Sequence, residues 1–168
     1  MSKLQQAFDQ LITDQAELQR KFQEQAQTLF KDITKEFFAK NPGVSAIVWT
    51  QYTPYFNDGD TCEFRVNDPT FTNAPDPENI VWEEYEGEEE NVWTASNIAY
   101  VLNSDQQWYA EAKRLIQEQG GVDVESCNMM ARAICSSEME DVMLAMFGDH
   151  SKVIATRDGF DVEEYEHD

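Results

Sequence analysis

Histidine is nearly absent from the 168-residue sequence, which contains only His150 and His167. Ser-His-Asp and Cys-His catalysis need a base that titrates near neutral pH, and that base is usually a histidine. His167 is the penultimate residue and His150 follows a predicted helix end, so we expect both at the surface rather than in an active site. The sequence therefore predicts a protein that is not an enzyme and has no catalytic residues.

Glycine and cysteine are also scarce. With seven glycines and no G-x-x-x-x-G-K-[ST], G-x-G-x-x-G or H-E-x-x-H motif, the chain lacks the usual phosphate-binding loops and this zinc motif. The three cysteines, Cys62, Cys127 and Cys135, are odd in number and none belongs to a C-x-x-C pair. A reducing cytoplasm is the simplest interpretation, and no cofactor or metal is predicted.

Long apolar runs are missing as well. No window approaches the roughly 20 apolar residues of a membrane span, and Met1–Gln6 lack the apolar core of a signal peptide. A hydrophobic content of 41% with ten Phe, six Tyr and four Trp argues against disorder. We expect one folded domain in the cytoplasm, away from membranes, that needs no disulfide to fold.

Basic residues are scarce too: the sequence has 12 of them and 33 acidic residues, which gives a net charge of −21. Residues 1–48 hold six of each sign, so the whole imbalance falls on residues 49–168. Binding a polyanion requires clustered cations, and direct nucleic-acid binding is therefore not expected. An acidic field instead favours basic partners, or imitates a polyanion.

An N-terminal helix is predicted for residues 2–40, as one helix or two joined ones, because no glycine or proline interrupts them. Gln15 and Gln25 share its apolar stripe, which has the 4-3 spacing of a coiled coil. The apolar members of the stripe, and the candidate oligomerisation residues, are Leu4, Phe8, Leu11, Leu18, Phe22 and Leu29. Two interpretations stay open: a helix packed on its own core, or a dimerising or partner-facing coiled coil. We accordingly divide the chain into an amphipathic helix, 1–42, and an acidic α+β domain, 43–168.

Two hairpins are predicted downstream. Ala46–Tyr52 is rich in β-branched and aromatic residues, Thr61–Val66 alternates, and Asn57-Asp58-Gly59 between them tolerates positive φ. The second hairpin joins Val153–Thr156 to Phe160–Tyr165 through an Asp-Gly turn.

The other segments complete an α+β fold with a long N-terminal helix, an antiparallel sheet built from hairpins and several shorter helices. Asn67–Asn79 reads as a loop, and Ile80–Tyr85 as a strand. Helices are predicted over Thr94–Leu102, over Asp105–Gln119 from a Ser104/Gln107 capping box, over Val124–Cys135, and from a Ser137/Glu140 capping box to Gly148.

Acidic clusters provide the candidate partner-binding residues. Six of the eight residues in Glu83–Glu90 are glutamate, which is typical of a solvated loop or of an acidic decoy for a basic groove. The candidates are Glu83, Glu84, Glu86, Glu88, Glu89 and Glu90, followed by Asp161, Glu163, Glu164 and Glu166. A divalent metal at Asp58, Asp60 and Glu63 is an alternative, although their turn departs from the calcium-loop pattern.

One stretch carries a family resemblance. Trp49-Thr50-Gln51-Tyr52-Thr53-Pro54-Tyr55-Phe56-Asn57-Asp58-Gly59-Asp60, closed by Cys62-Glu63-Phe64, resembles uncharacterised accessory proteins encoded by tailed bacteriophages. The resemblance covers about 20 residues, implies an accessory protein working in the bacterial host cytoplasm, and carries over no catalytic residues.

Together these features favour a non-enzymatic acidic protein that binds and inhibits or modulates a host or defence protein. Its acidic surface would occupy a basic, nucleic-acid-binding site as a DNA mimic does. The alternatives are a self-assembling structural protein that uses the N-terminal helix, and a metal-dependent protein that uses the Asp58 turn.

Overall fold

The longest element of the structure, a computed structural model that describes residues 2–77, 92–105 and 107–167, is helix α1, Lys3–Lys40. Ser2 caps its first turn, because its side chain accepts a hydrogen bond from the Gln5 amide at 3.2 Å. At the other end both the backbone N–H and the Nδ2 of Asn41 donate to the Phe37 carbonyl. The predicted N-terminal helix is thus one continuous helix.

An antiparallel sheet lies at the centre of the fold, in the order β4-β3-β1-β5-β6, with β2 also paired to β1. The strands are β1, Ala46–Tyr52; β2, Arg65–Val66; β3, Thr70–Thr72; β4, Val92–Thr94; β5, Ser151–Thr156; and β6, Gly159–Glu164. The central pair is β1 with β5, in a register that runs from Ala46 opposite Thr156 to Gln51 opposite Ser151. The two hairpin predictions are confirmed, although β2 is shorter than expected.

Shorter helices follow β4 and precede β5. They are α2, Ile98–Asn103; α3, Gln107–Glu118; α4, Val124–Cys135; and α5, Glu140–Phe147, with a 3₁₀ turn over Ser137–Met139. Glycines terminate two of these helices. After α3 the Gly121 amide, at φ +89°, donates to the Ile116 carbonyl, and after α5 the Gly148 amide, at φ +82°, donates to the Leu144 carbonyl. The α+β fold class is confirmed.

All the helices contribute to one core on a single face of the sheet. Phe30 of α1 packs edge-on against Trp49 of β1, with ring centroids 6.4 Å apart, and stacks on Phe160 of β6 at 6.0 Å. Phe147 of α5 lies 5.5 Å from Trp49 in the same cluster. The C-terminal part of α1 is therefore fixed to the sheet through aromatic packing.

Three local predictions are wrong. Asn67–Asn79 is not wholly a loop, because the alternating Thr-Phe-Thr of β3 pairs with β1 and buries Phe71. The helix expected over Thr94–Leu102 begins only at Ile98, since Thr94 pairs with Thr70 in β4. Ser137 caps no helix; its Oγ lies 3.4 Å from the Glu138 carboxylate inside the 3₁₀ turn.

The strand predicted for Ile80–Tyr85 lies outside the described residues. Within the described ranges, no helix combines the length and the apolar character needed to cross a membrane.

Candidate functional site

The N-terminal part of α1 leaves the body of the protein. Every residue from Ser2 to Phe22 is exposed, and the first buried residue of the helix is Phe30. The segment from Lys3 to Leu29 spans about 40 Å at 1.5 Å per residue. Only the C-terminal part of α1 therefore packs on the protein's own core, and its first turns do not.

The six predicted oligomerisation residues are all exposed on this projecting segment. They lie on one helix face because their spacing alternates between three and four residues, with Gln15 and Gln25 completing the pattern. The exposed fractions are Leu4 82%, Phe8 60%, Leu11 64%, Leu18 69%, Phe22 60% and Leu29 60%. We call these six residues and the two glutamines the α1 seam. It is a largely apolar stripe interrupted by two amides, and soluble monomers rarely leave an apolar surface of this length in water.

A groove begins one turn beyond the seam, where α1 meets α4. Ile33 and Phe37 line one side, and Met129 and Met130 line the other, around a volume of about 250 Å³. Met130 is buried, whereas the Met129 side chain is 64% exposed. The apolar stripe thus continues onto the body of the protein.

The acidic candidates fall into two groups. Asp161, Glu163 and Glu164 lie exposed on β6, an edge strand of the sheet, and Glu166 follows it. Glu163 also pairs with Lys152 across the hairpin at 3.0 Å. The other candidates, Glu83, Glu84, Glu86, Glu88, Glu89 and Glu90, lie outside the described residues.

The Asn57–Asp60 turn has the backbone that its residues predict. Asp58 and Gly59 have φ of +41° and +92°, and the Asp60 amide donates to the Asn57 carbonyl at 2.7 Å. Asp58, Asp60 and Glu63 are exposed. In the part of the chain that the structure describes, no group of three or more His, Cys, Asp or Glu residues is placed to hold a metal ion.

The two histidines meet, which the sequence did not suggest. His150 Nδ1 lies 3.0 Å from His167 Nε2, and the Tyr55 ring stacks on both imidazoles with centroids 4.8 and 4.7 Å away. Tyr52 stacks on His167 at 3.7 Å. The Tyr165 amide donates to the His150 carbonyl, and this bond brings together the two histidines, which lie 17 positions apart in the sequence.

Asp149 holds this Tyr–His cluster to the end of β1. Its carboxylate accepts hydrogen bonds from the Thr53 amide and hydroxyl, both at 2.7 Å, and from the His150 amide at 2.8 Å. Burial acts to raise the pKa of Asp149, but these hydrogen bonds outweigh it and leave the pKa below its usual value. The carboxylate is therefore ionised at neutral pH and acts as an acceptor.

Two of the cysteines are withdrawn from solvent, Cys127 being buried and Cys135 half-buried. Burial raises the pKa of Cys127 to about 12, and burial together with the nearby Asp68 raises the pKa of Cys135 to about 12. Both thiols stay protonated at neutral pH, so neither supplies a thiolate nucleophile.

Comparison of the chain with models of known protein families, with curated proteins and with solved structures gives no match.

Proposed function

We propose that the protein is an assembly protein that associates with a second copy of itself through the α1 seam. The observation that carries the proposal is the exposure of the seam along a helix that projects from the folded body. Its acidic remainder, which carries the whole charge of −21, keeps the assembly soluble.

An unpaired helix would leave the apolar face of this segment in water, which is energetically unfavourable. Helical stability in proteins comes mainly from packing an amphipathic face and less from the intrinsic propensity of the residues. Full burial of a Leu or Phe side chain contributes about 1.5–3 kcal/mol. Six such side chains along one seam supply enough apolar surface to stabilise both the helix and a helix pair.

The charge of the segment favours a second copy as its occupant. Residues 1–48 are neutral overall, so two copies meet without net repulsion along α1. Few of the residues beside the seam are charged. Only Asp14 and Lys21 are ionic, and the others are Gln5, Ala7, Ile12, Gln19, Ala26 and Thr28. Such flanks suit helix pairing rather than binding to a highly charged partner.

Light scattering of the full chain across a wide concentration range tests the proposal. We expect a mass that rises with concentration from 19.4 kDa to a multiple of it. The double variant Leu11→Glu with Leu18→Glu should stay monomeric, because it buries two carboxylates in the seam. Both positions are exposed in the single chain, so the body of this variant should unfold at the wild-type temperature.

A matched control carries the same charge change on the opposite side of α1. Gln6→Glu with Ala16→Glu adds two carboxylates at exposed positions off the seam and should associate as the wild type does. A wild-type chain that stays at 19.4 kDa at all concentrations, or a Leu11/Leu18 variant that associates normally, would contradict the proposal.

A second candidate function is binding of a basic, nucleic-acid-binding protein of the host by the acidic surface. The observation that favours it is the row of exposed carboxylates on edge strand β6, Asp161, Glu163 and Glu164, with Glu166 beyond. Salt weakens such binding, since it depends on long-range charge attraction.

A tagged pull-down from nuclease-treated bacterial lysate at low and high salt tests this second function. We expect recovery of a nucleic-acid-binding protein at low salt, loss at high salt and competition by added duplex DNA. Asn at Asp161 and Gln at Glu163, Glu164 and Glu166 should weaken recovery. Gln at Glu88, Glu89 and Glu90 tests the other cluster. Undiminished recovery from both sets would exclude these two surfaces.

A further inference from the structure

We infer that the two copies pair antiparallel along α1, with Leu4 of one copy opposite Leu29 of the other. The inference rests on the self-association proposed above and adds its orientation and register. In this register the exposed seam overlaps over its full length. Phe8 then lies opposite Gln25, Leu11 opposite Phe22, and Gln15 opposite Leu18.

The charges that flank the seam carry the orientation. Phe8, Gln15, Phe22 and Leu29 occupy the a positions of successive heptads. Asp14 and Lys21 directly precede two of these residues and are therefore g positions. Antiparallel helices bring g against g, and this register sets Asp14 of each copy beside Lys21 of the other. Both side chains are exposed. Within their own helix Asp14 accepts a hydrogen bond from Gln10 at 2.7 Å and Lys21 pairs with Glu17, and both would exchange these exposed contacts for the one across the pair.

A parallel pair lacks these contacts. Parallel helices bring g against e, so Asp14 would face Gln19 and Lys21 would face Ala26. Neither contact joins opposite charges. The ionic pattern of the seam therefore selects the antiparallel arrangement.

The acidic bodies favour the same orientation. Both bodies are attached at the C-terminal end of α1, so a parallel pair would place two regions of net charge −21 side by side. An antiparallel pair separates them by the length of the projecting segment, about 40 Å. That distance is several times the Debye length of about 8 Å at physiological salt, so the bodies do not repel one another appreciably.

Gln15 fits the centre of this pair, whereas Gln25 lies opposite Phe8. Gln15 of one copy and Gln15 of the other lie in the two adjacent middle layers, about 4.5 Å apart along the axis. An amide carries both donors and acceptors, so the two side chains can bond each other across the centre. Polar residues at one place in an apolar seam fix register, and these two fix it at the middle of the overlap.

Disulfide trapping in the full chain tests the orientation, in a background where Cys62 and Cys135 are Ser and the buried Cys127 is kept. We expect Leu4→Cys and Leu29→Cys to form no cross-linked dimer alone, and an equal mixture of the two to form the mixed dimer. A Thr13→Cys and Arg20→Cys mixture, at exposed positions of α1 off the seam, should cross-link at least about tenfold less under the same redox buffer.

The outcomes separate this inference from the proposed function. Cross-linking of Leu4→Cys with itself, in a chain that light scattering shows to be dimeric, would establish a parallel pair and overturn the inference alone. A dimer in which the Leu4/Leu29 mixture forms no disulfide would overturn the register. A chain that is monomeric throughout would overturn the proposed function, and the inference with it.

Discussion

Gln51 is a polar residue with no exposed surface in the central strand β1. Its Nε2 donates to the carbonyls of Met143 at 3.0 Å and Gly148 at 2.6 Å, and its Oε1 accepts from Trp49 Nε1 at 3.2 Å. A buried amide is stable only when its hydrogen bonds are made, and here they join the sheet to the end of α5. Gln51 therefore positions α5 on the sheet.

Replacing Gln51 by Leu should lower the free energy of unfolding by about 2–4 kcal/mol, because it removes the hydrogen bonds to the Met143 and Gly148 carbonyls and leaves the buried Trp49 N–H without its acceptor. Chemical denaturation gives the value. Gln117→Leu, at an exposed site on α3, is the control and should change it by less than about 0.5 kcal/mol. Equal stabilities of the two variants would show that the Gln51 hydrogen bonds contribute nothing.

Asp123 caps α4. Its carboxylate accepts hydrogen bonds from the Ser126 hydroxyl and from the Glu125 and Ser126 amides, the latter two at 3.3 Å each. These bonds hold the pKa of Asp123 below its ordinary value, and the bond from the hydroxyl contributes most. A lowered pKa in the folded state means that the cap stabilises at pH above about 4 and loses its contribution as pH falls through the folded-state pKa.

Asp123→Ala should therefore cost about 1 kcal/mol at pH 7, and this difference from the wild type should shrink as the pH falls below about 4. Thermal unfolding of both proteins as a function of pH measures it. Asp123→Asn retains a capping side chain without titrating, so its stability should change less with acid than that of the wild type. A wild-type excess over Asp123→Ala that is constant down to pH 2 would contradict the assignment.

At the scale of elements, α1 has two parts with different tasks. Its C-terminal part packs Phe30 against Trp49, Phe147 and Phe160, whereas Phe22, two turns earlier, is 60% exposed. The same residue type thus serves the core at one position and the seam at the other. This contrast allows the two tasks to be separated by matched substitutions.

Phe30→Ala should lower the free energy of unfolding by about 3–5 kcal/mol, since it opens a cavity among the rings of Trp49, Phe147 and Phe160. Phe22→Ala, measured in dilute solution where the chain is monomeric, should lower it by less than about 0.5 kcal/mol but raise the dissociation constant of the dimer. Denaturation and sedimentation of both variants supply the two readouts. Loss of stability in dilute Phe22→Ala would place Phe22 in the fold rather than the seam.

The elements with strong local patterns were predictable. The glycine-free run to Lys40 predicted α1, Asn57-Asp58-Gly59 predicted the first turn, and Val124–Cys135 matched α4 residue for residue. Strand β3 was not predictable, because three residues beside Pro69 gain their strand character from pairing with β1 and β4. Propensity is weak against such tertiary pairing.

The candidate sites divide in the same way. The placement of the seam residues on one face of α1 followed from their spacing, as periodicity survives without tertiary context, whereas their exposure is known only from the structure. The Tyr–His cluster could not be found, because His150 and His167 meet only when β6 returns along β5 and the Tyr165 amide bonds the His150 carbonyl. No local pattern in the sequence records that approach.

At the scale of the whole molecule, charge and apolar surface are segregated. The body carries the entire net charge, while the exposed apolar stripe lies on the neutral α1. Salt acts on these two regions differently, because it screens charge attraction and strengthens apolar burial only slightly.

Self-association should accordingly change by less than about threefold in dissociation constant between 0.1 and 0.5 M NaCl, since paired bodies lie several Debye lengths apart. Binding of a basic partner should weaken by more than about tenfold over the same range. Sedimentation velocity and a binding isotherm at both salts distinguish the two. Self-association that strengthens tenfold with salt would indicate bodies held side by side.

The pairing of β1 with β5 also governs the order in which the protein is made. Gln51 lies opposite Ser151, so the ribosome adds roughly 100 residues between the two halves of the central pair. The body cannot close until β5 emerges, and contacts so distant in sequence slow folding. Helix α1 needs no distant residue to form, so under the proposed self-association two nascent chains on one polysome would meet through α1 before either sheet exists.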